Sequence, residues 1–345
     1  MRKLIFLTLS VLFVLSFATC SMAANKFSLN KNWVFKLEDS SFYEKRIYHV
    51  TKEQYSVYIL SDGEGFAKML TLNPTGKKVW EKELRSSFAI SNNTTPALFL
   101  IEDGNIQKYY LNSGKKLLDI KAPVADIHNT ELYGVTKNQT LILLDWNTMN
   151  IVEIDEKGNT LSTVTYSDSA LKKFSIQKPN MPNGTIQPSE TIQNAIVKSY
   201  LPNFIKDKEV FQKKYGKGAK YFPYFEAKSS GAYVYVLAYF QINSTINNEI
   251  FSHSVLYKFK KTGRYISQKN LGNYNGTDID VSKKGEVFVS LNNLNTASPY
   301  GLVKVINKKN STIKTIKFKN QYVTEGKLYK NQFFIVTDKA FYSYK

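Results

Sequence analysis

One stretch constrains this chain more than any other. Between Tyr274 and Phe318 the sequence runs Gly276-Thr277-Asp278-Ile279-Asp280-Val281, the turn Ser282-Lys283-Lys284-Gly285, and then Glu286-Val287-Phe288-Val289-Ser290-Leu291. After a polar interval come Leu302-Val303-Lys304-Val305-Ile306, the turn Asn307-Lys308-Lys309-Asn310, and Ser311 to Phe318. Apolar and polar residues alternate within each run, which puts successive side chains on opposite faces of a strand. Four short runs joined by turns predict one four-stranded antiparallel sheet. Such a sheet cannot bury its two faces alone, so it must stack against copies of itself.

The copies are present. Arg46 to Val50, Ser56 to Leu60, Ala67 to Leu72, the turn Asn73-Pro74-Thr75-Gly76 and Lys77 to Leu84 form one unit. Ala97 to Ile101, Ile106 to Leu111, the turn Asn112-Ser113-Gly114 and Lys115 to Ile120 form the next, with Gly76 and Gly114 in equivalent turns. Units of roughly 40 residues built from four strands are the sequence mark of a β-propeller. The expected fold is all-β: six four-stranded antiparallel blades over residues 44–84, 86–120, 123–166, 222–270, 274–318, and 321–345 completed by 27–38. The last unit lacks a closing strand, and the solitary run Asn32 to Leu37 can supply it, removing an exposed edge. Residues 27–345 are thus read as a single propeller domain.

The rhythm breaks over residues 167–224, where Pro179, Pro182, Pro188 and Pro202 interrupt it. Ile192, Ala195, Ile196, Tyr200 and Phe204 fall at helical spacing, and a second helix is expected near Asp207 to Tyr215. The stretch is read as a partly helical insertion between blades. The count becomes seven if it hides a blade. It interleaves cations with aromatics at Lys213, Lys214, Tyr215, Lys217, Lys220, Tyr221, Phe222 and Tyr224. Charge and flat rings together suit an anionic polymer, so these are the candidate binding residues.

The N-terminus reads as a secretory leader over residues 1–23: Arg2 and Lys3, an apolar run from Leu4 to Phe17, then Ser21-Met22-Ala23 at the cleavage position. Cys20 is the only cysteine, and lipidation there is the alternative to ordinary cleavage. The folded part therefore has no disulfide and no thiolate chemistry. The expected location is outside the cytoplasm: secreted, periplasmic or on the cell surface. No later segment is apolar enough to span a membrane, and a monomer is expected. Charge is uneven. Residues 24–203 carry 21 basic and 19 acidic side chains, and residues 204–345 carry 24 and 9. A basic half favours an anionic polymer or membrane surface, or a protein partner.

Leu72 to Leu84 resembles the closing hairpin of quinoprotein-like propeller repeats, through Thr75-Gly76-Lys77-Lys78-Val79-Trp80. Asp278 to Val289 is similar to the inner hairpin of NHL-type and related exported bacterial propellers. These motifs imply a blade and name no activity. His49, His128 and His253 lie in different units without zinc spacing, and no nucleotide or serine-hydrolase motif occurs. Asp278 and Asp280 share one strand face and are the candidate metal ligands, with Ca2+ as the ion. The function expected is non-enzymatic binding or scaffolding at the bacterial envelope. The alternative is a propeller enzyme (lyase, lactonase or quinoprotein-like dehydrogenase) with its site at the channel mouth, recognisable by charged residues converging from several blades.

Overall fold

Period-two runs become strands in two stretches, 31–165 and 220–344. The structure is a computed structural model and describes residues 29–38, 42–63, 66–84, 87–91, 95–124, 129–177, 187–196, 208–246, 250–294 and 298–345. The leader, Cys20 and His128 lie outside the described residues. So do Tyr200 and Phe204 of the expected helix. Lys31–Lys345 form one compact unit, and of the other, Met1–Asn30, only Leu29 and Asn30 are described.

β1 is Lys31–Lys36. Blade 1 holds β2 (Glu44–Val50), β3 (Ser56–Ser61), β4 (Ala67–Leu72) and β5 (Lys78–Leu84). Blade 2 holds β6 (Phe88–Ser91), β7 (Ala97–Glu102), β8 (Asn105–Tyr110) and β9 (Lys116–Lys121), and blade 3 holds β10 (Thr130–Val135), β11 (Leu141–Asp145), β12 (Asn150–Ile154) and β13 (Thr160–Thr165). Blade 4 holds β14 (Lys220–Ser230), β15 (Tyr233–Asn243), β16 (Ile250–Lys260) and β17 (Tyr265–Gly272). Blade 5 holds β18 (Asn275–Val281), β19 (Val287–Asn293), β20 (Tyr300–Ile306) and β21 (Thr312–Lys319). Blade 6 holds β22 (Val323–Tyr329), β23 (Gln332–Thr337) and β24 (Ala340–Tyr344), with β1 added outside β24 in register Phe35 to Phe341. All six sheets are antiparallel, and the fold is a six-bladed β-propeller. The expected count of six and the closure by the N-terminal strand are borne out.

Burial explains the strand sequences. A second strand lies between neighbours in its own sheet and between the sheets on either side, so it is apolar on both faces. β23 and β11 are buried at every residue. Outermost strands face solvent and alternate, as β9 does in Lys116-Leu117-Leu118-Asp119-Ile120-Lys121. Between blades 6 and 1, Tyr58 stacks on Phe341 with centroids 3.9 Å apart.

The glycine–tryptophan motif has a structural cause. Trp33 of β1 lies on Gly76 in the β4–β5 turn, and Trp80 of β5 lies on Gly114 in the β8–β9 turn. Each ring from an outer strand thus rests on the closing turn of the next blade. A Cβ at Gly76 would meet the Trp33 ring at 2.6 Å, and one at Gly114 would meet the Trp80 ring at 2.7 Å. Trp80 Nε1 donates to Leu111 O across the same joint, at 2.6 Å.

The joint between blades 3 and 4 is different. Tyr166, Ala170, Leu171, Phe174 and Ile176 cover Ile142, Leu144 and Ile151 of blade 3. Ser167 caps the helical turn Asp168–Leu171 by accepting from Ala170 N. Farther along, Ile192 and Ile196 of the helical run 190–196 pack on Ala227, Val236, Ala238 and Phe240 of blade 4. Two segments of the insertion, 167–176 and 190–196, therefore cover the facing sides of two blades. Among the described residues the insertion adds no sheet, only an isolated bridge from Ile176 to Thr136. Residues 220–224, grouped with the insertion on sequence grounds, lie in β14 instead.

Candidate functional site

The first strands of the blades, β2, β6, β10, β14, β18 and β22, begin each sheet. Four of them carry a bulge, at Tyr48, Tyr133, Thr277 and Thr324. A bulge re-aims the extra side chain. Here Thr277 and Thr324 help line a cavity of about 470 Å3. Its other walls are Tyr43, Glu44, Lys45, Arg46, Glu226, Asp278, Glu325 and Lys327. β2, β14, β18 and β22 all contribute, so the cavity is enclosed by the first strands of four blades. It lies toward the end at which those strands begin, the end where the insertion enters and leaves.

Carboxylates tie these strands together. Asp278 of β18 accepts from Gly326 N of β22 at 2.9 Å and binds Lys327 Nζ through both oxygens, at 2.9 and 2.8 Å. Asp280 accepts from Leu328 N at 2.8 Å, with Lys228 Nζ of β14 at 3.5 Å. Glu325 of β22 accepts from Ile47 N of β2 at 2.9 Å, with Lys327 Nζ at 3.7 Å from its other oxygen. Arg46 pairs with Glu44 at the rim, and Lys45 donates to Phe42 O. β18 thus grips β22, and β22 grips β2, through carboxylates that accept backbone N–H groups, which satisfies donors that no neighbouring strand pairs.

The electrostatics follow from burial. Burial pushes the Glu325 carboxyl up to about 7, with Lys327 opposing that shift and Asp278 adding to it. Burial also raises Asp280, against the pull of Lys228 and two backbone N–H groups. For Lys327, burial works to lower the ammonium pKa, but Asp278 and Glu325 outweigh it and the net shift is upward. A carboxyl poised near neutrality in a cleft is equipped for proton transfer.

The sequence-derived candidates separate. Asp278 and Asp280 do share a face, and the groups around them are an ammonium and backbone N–H donors, where Ca2+ would take six to eight oxygens. Among the described residues no group of three His, Cys, Asp or Glu converges. His49 is buried, and burial pulls it down to about 4; His253 meets Asn273 Oδ1 at 3.0 Å, and neither lines the cavity. Lys213, Lys214 and Tyr215 stand in the helix Lys208–Tyr215, where Tyr215 is buried against Ile242. Lys217 is in the following turn. Lys220, Tyr221, Phe222 and Tyr224 are in β14, and the Tyr221 side chain is outside the described set. Of these, Phe222 and Tyr224 are 41% and 42% exposed, and Tyr224 stacks on Tyr239 at 4.5 Å. Sequence reasoning missed Glu226, Glu325, Lys327 and Arg46. The available signal was charge on the first strands of several blades, at Arg46, Glu226, Glu325 and Lys327.

No family model matches the chain, and no curated protein matches it in sequence. Solved structures do. The chain is similar to dihydro-heme d1 dehydrogenase NirN (TM-score 0.39, 8% identity, 85% of this chain and 75% of that one). It is also similar to virginiamycin B lyase from Staphylococcus aureus (TM-score 0.31, 8% identity, 91% and 99%) and to the Dos1 propeller (TM-score 0.34, 9% identity, 92% and 95%). The resemblance is a distant one, to several propeller proteins. Among the described residues no helix is long and apolar enough to cross a membrane.

Proposed function

We propose that the chain is an exported, monomeric binding propeller that holds a polyanion of the bacterial envelope on one end of blades 4–6. One observation carries this reading: the sorting of charge. In an antiparallel four-stranded blade, the first and third turns lie at the same end. In blades 4–6 those turns present Lys261, Arg264, Lys283, Lys284, Lys308, Lys309 and Lys330, all exposed. Glu286 is the acid among these turns, and it is engaged by Ser282. Of the nine acids in residues 204–345, Glu226, Asp278, Asp280 and Glu325 stand on first strands, at the opposite end or within the ring. The outside of this half is therefore more basic than its composition. On blades 1–3 the same end mixes Lys52, Lys77, Lys115, Lys137 and Lys157 with Glu53, Asp155 and Glu156.

The test is titration of the full chain with linear polyphosphate across a salt series. The quadruple charge reversal of Lys283, Lys284, Lys308 and Lys309 to Glu is expected to weaken binding at least tenfold, with a shallower dependence on salt. Reversal of Lys77 and Lys115 should change it little. Equal effects of the two sets, or no binding by the parent, would overturn the reading.

A propeller enzyme is the second reading, favoured by Glu325 in the cavity. It stands second because Asp278, Asp280 and Glu325 each already serve as a clamp on the neighbouring strand.

A further inference from the structure

The cavity and its surroundings point to a second ligand, unrelated to the cationic end. We infer that the axial cavity binds a neutral, hydroxyl-bearing ring of the sugar class, with β14 as its aromatic wall.

Size is the first argument. At about 470 Å3 the cavity falls within the range of small-molecule sites, roughly 300–1,000 Å3. Its chemistry is the second. Both donors and acceptors line it: the Arg46 guanidinium can donate, Glu226 and Glu325 can accept, and the Thr277 and Thr324 hydroxyls, which donate to Val323 O and Val336 O, keep lone pairs that can accept from a ligand hydroxyl. Glu325 uses one oxygen for Ile47 N and keeps further acceptor capacity, since each carboxylate oxygen offers two lone pairs. Vicinal hydroxyls need this arrangement, because each one donates and accepts within a short distance. The lining carries four carboxylates against three cations, so it does not select a strongly charged molecule.

The wall is the third argument. Blade 4 has strands of 11 residues in β14, β15 and β16, where the first strands of blades 5 and 6 have seven. Lys228 meets Asp280, so Glu226 is level with Asp278, and β14 continues beyond the start of β18 by three residues. At about 3.4 Å per residue that is roughly 10 Å of wall. Tyr224 and Phe222 point to the same face of β14 as Glu226, one and two pleats above it, and both are about two-fifths exposed. A sugar ring presents a C–H face to such aromatic planes and its hydroxyls to the charged floor.

The experiment is saturation-transfer NMR and calorimetry on the full chain with glucose and N-acetylglucosamine, and with galacturonate and glucosamine as charged counterparts. A neutral sugar is expected to bind with a millimolar or better constant. Tyr224→Ala and Arg46→Gln, both at exposed side chains, are each expected to weaken it at least about fivefold with unchanged thermal unfolding. The Lys283/Lys284/Lys308/Lys309 reversal should leave it unchanged, which separates this inference from the polyanion reading. Absence of binding by either neutral sugar at about 20 mM, a tenfold or greater preference for a charged sugar, or binding indifferent to both variants would overturn it.

Discussion

Glu325→Gln should remove one term from the pH dependence of stability, that of a carboxyl set in the wall between blades 6 and 1. Its pKa moves from an ordinary 4.5 to about 7 in the folded chain, chiefly through burial. The folded state therefore holds this proton more tightly than the unfolded state. The Glu325 contribution is complete below pH 4.5 and is lost as pH rises through about 7. At about 1.4 kcal/mol per pH unit, the full excursion is about 3 kcal/mol. Glutamine retains a side-chain oxygen to accept from Ile47 N and has no charge to desolvate. The variant should thus match the parent near pH 4 and exceed it by up to about 3 kcal/mol at pH 8.5. His49 pulls the other way: its folded pKa of about 4 makes its contribution fall as pH drops below the ordinary 6.5. That term is common to both proteins and cancels in the difference. Urea unfolding followed by tryptophan fluorescence, with Trp33 buried at the blade 6–blade 1 joint, gives the two curves. A difference that is the same at pH 5 and pH 8.5 would refute the linkage and with it the buried, charge-averse placement of Glu325.

Other outcomes follow from the packing. Asp278→Ala or Lys327→Met alone strands a buried charge and should cost about 3–5 kcal/mol, while the double variant should be more stable than either single one; additive losses in a double-mutant cycle would contradict the pairing. Gly114→Ala must place a Cβ 2.7 Å from the Trp80 ring at a φ of +72°, and should lower the thermal midpoint by several degrees. Ile196→Ala removes a fully buried insertion residue and should cost about 2–5 kcal/mol; a loss within error would mean that the run 190–196 is not seated on blade 4.

The blades were legible because their signal is local. Period-two alternation and the recurring turn glycines of blades 1–5 need no knowledge of what lies across the ring, and the missing strand of blade 6 could be inferred from counting. The insertion's limits were not legible in the same way. Pro223, beside Phe222 and Tyr224, reads as a strand breaker, yet it stands in β14, the first strand of its sheet. An edge strand tolerates a residue without an N–H on its unpaired side. The cavity was illegible for another reason. Arg46, Glu226, Asp278 and Glu325 come from four blades, and only closure of the ring brings them to one place. Asp278 and Asp280 caught attention as a metal pair because they alternate with Ile279 and so share one strand face. Their partners, Gly326, Lys327 and Leu328, belong to the next blade.

The same bonds explain why the two ends of the molecule differ in character. An inner strand has no sheet neighbour on its axial side, so some of its N–H groups need side-chain acceptors. Blades 5 and 6 meet that need with carboxylates, which must then be buried and balanced by Lys327 and Lys228. Burying acids in the ring removes them from the surface, while the lysines of the turns stay exposed. A chain whose C-terminal half is merely basic in composition thereby acquires one end where cations face solvent with almost no counter-charge, and another where mixed charges surround a cavity. Neutralising the inner acids by substitution would leave the turn lysines untouched. Binding at the cationic end should accordingly survive Glu325→Gln, although the stability of the ring changes with it.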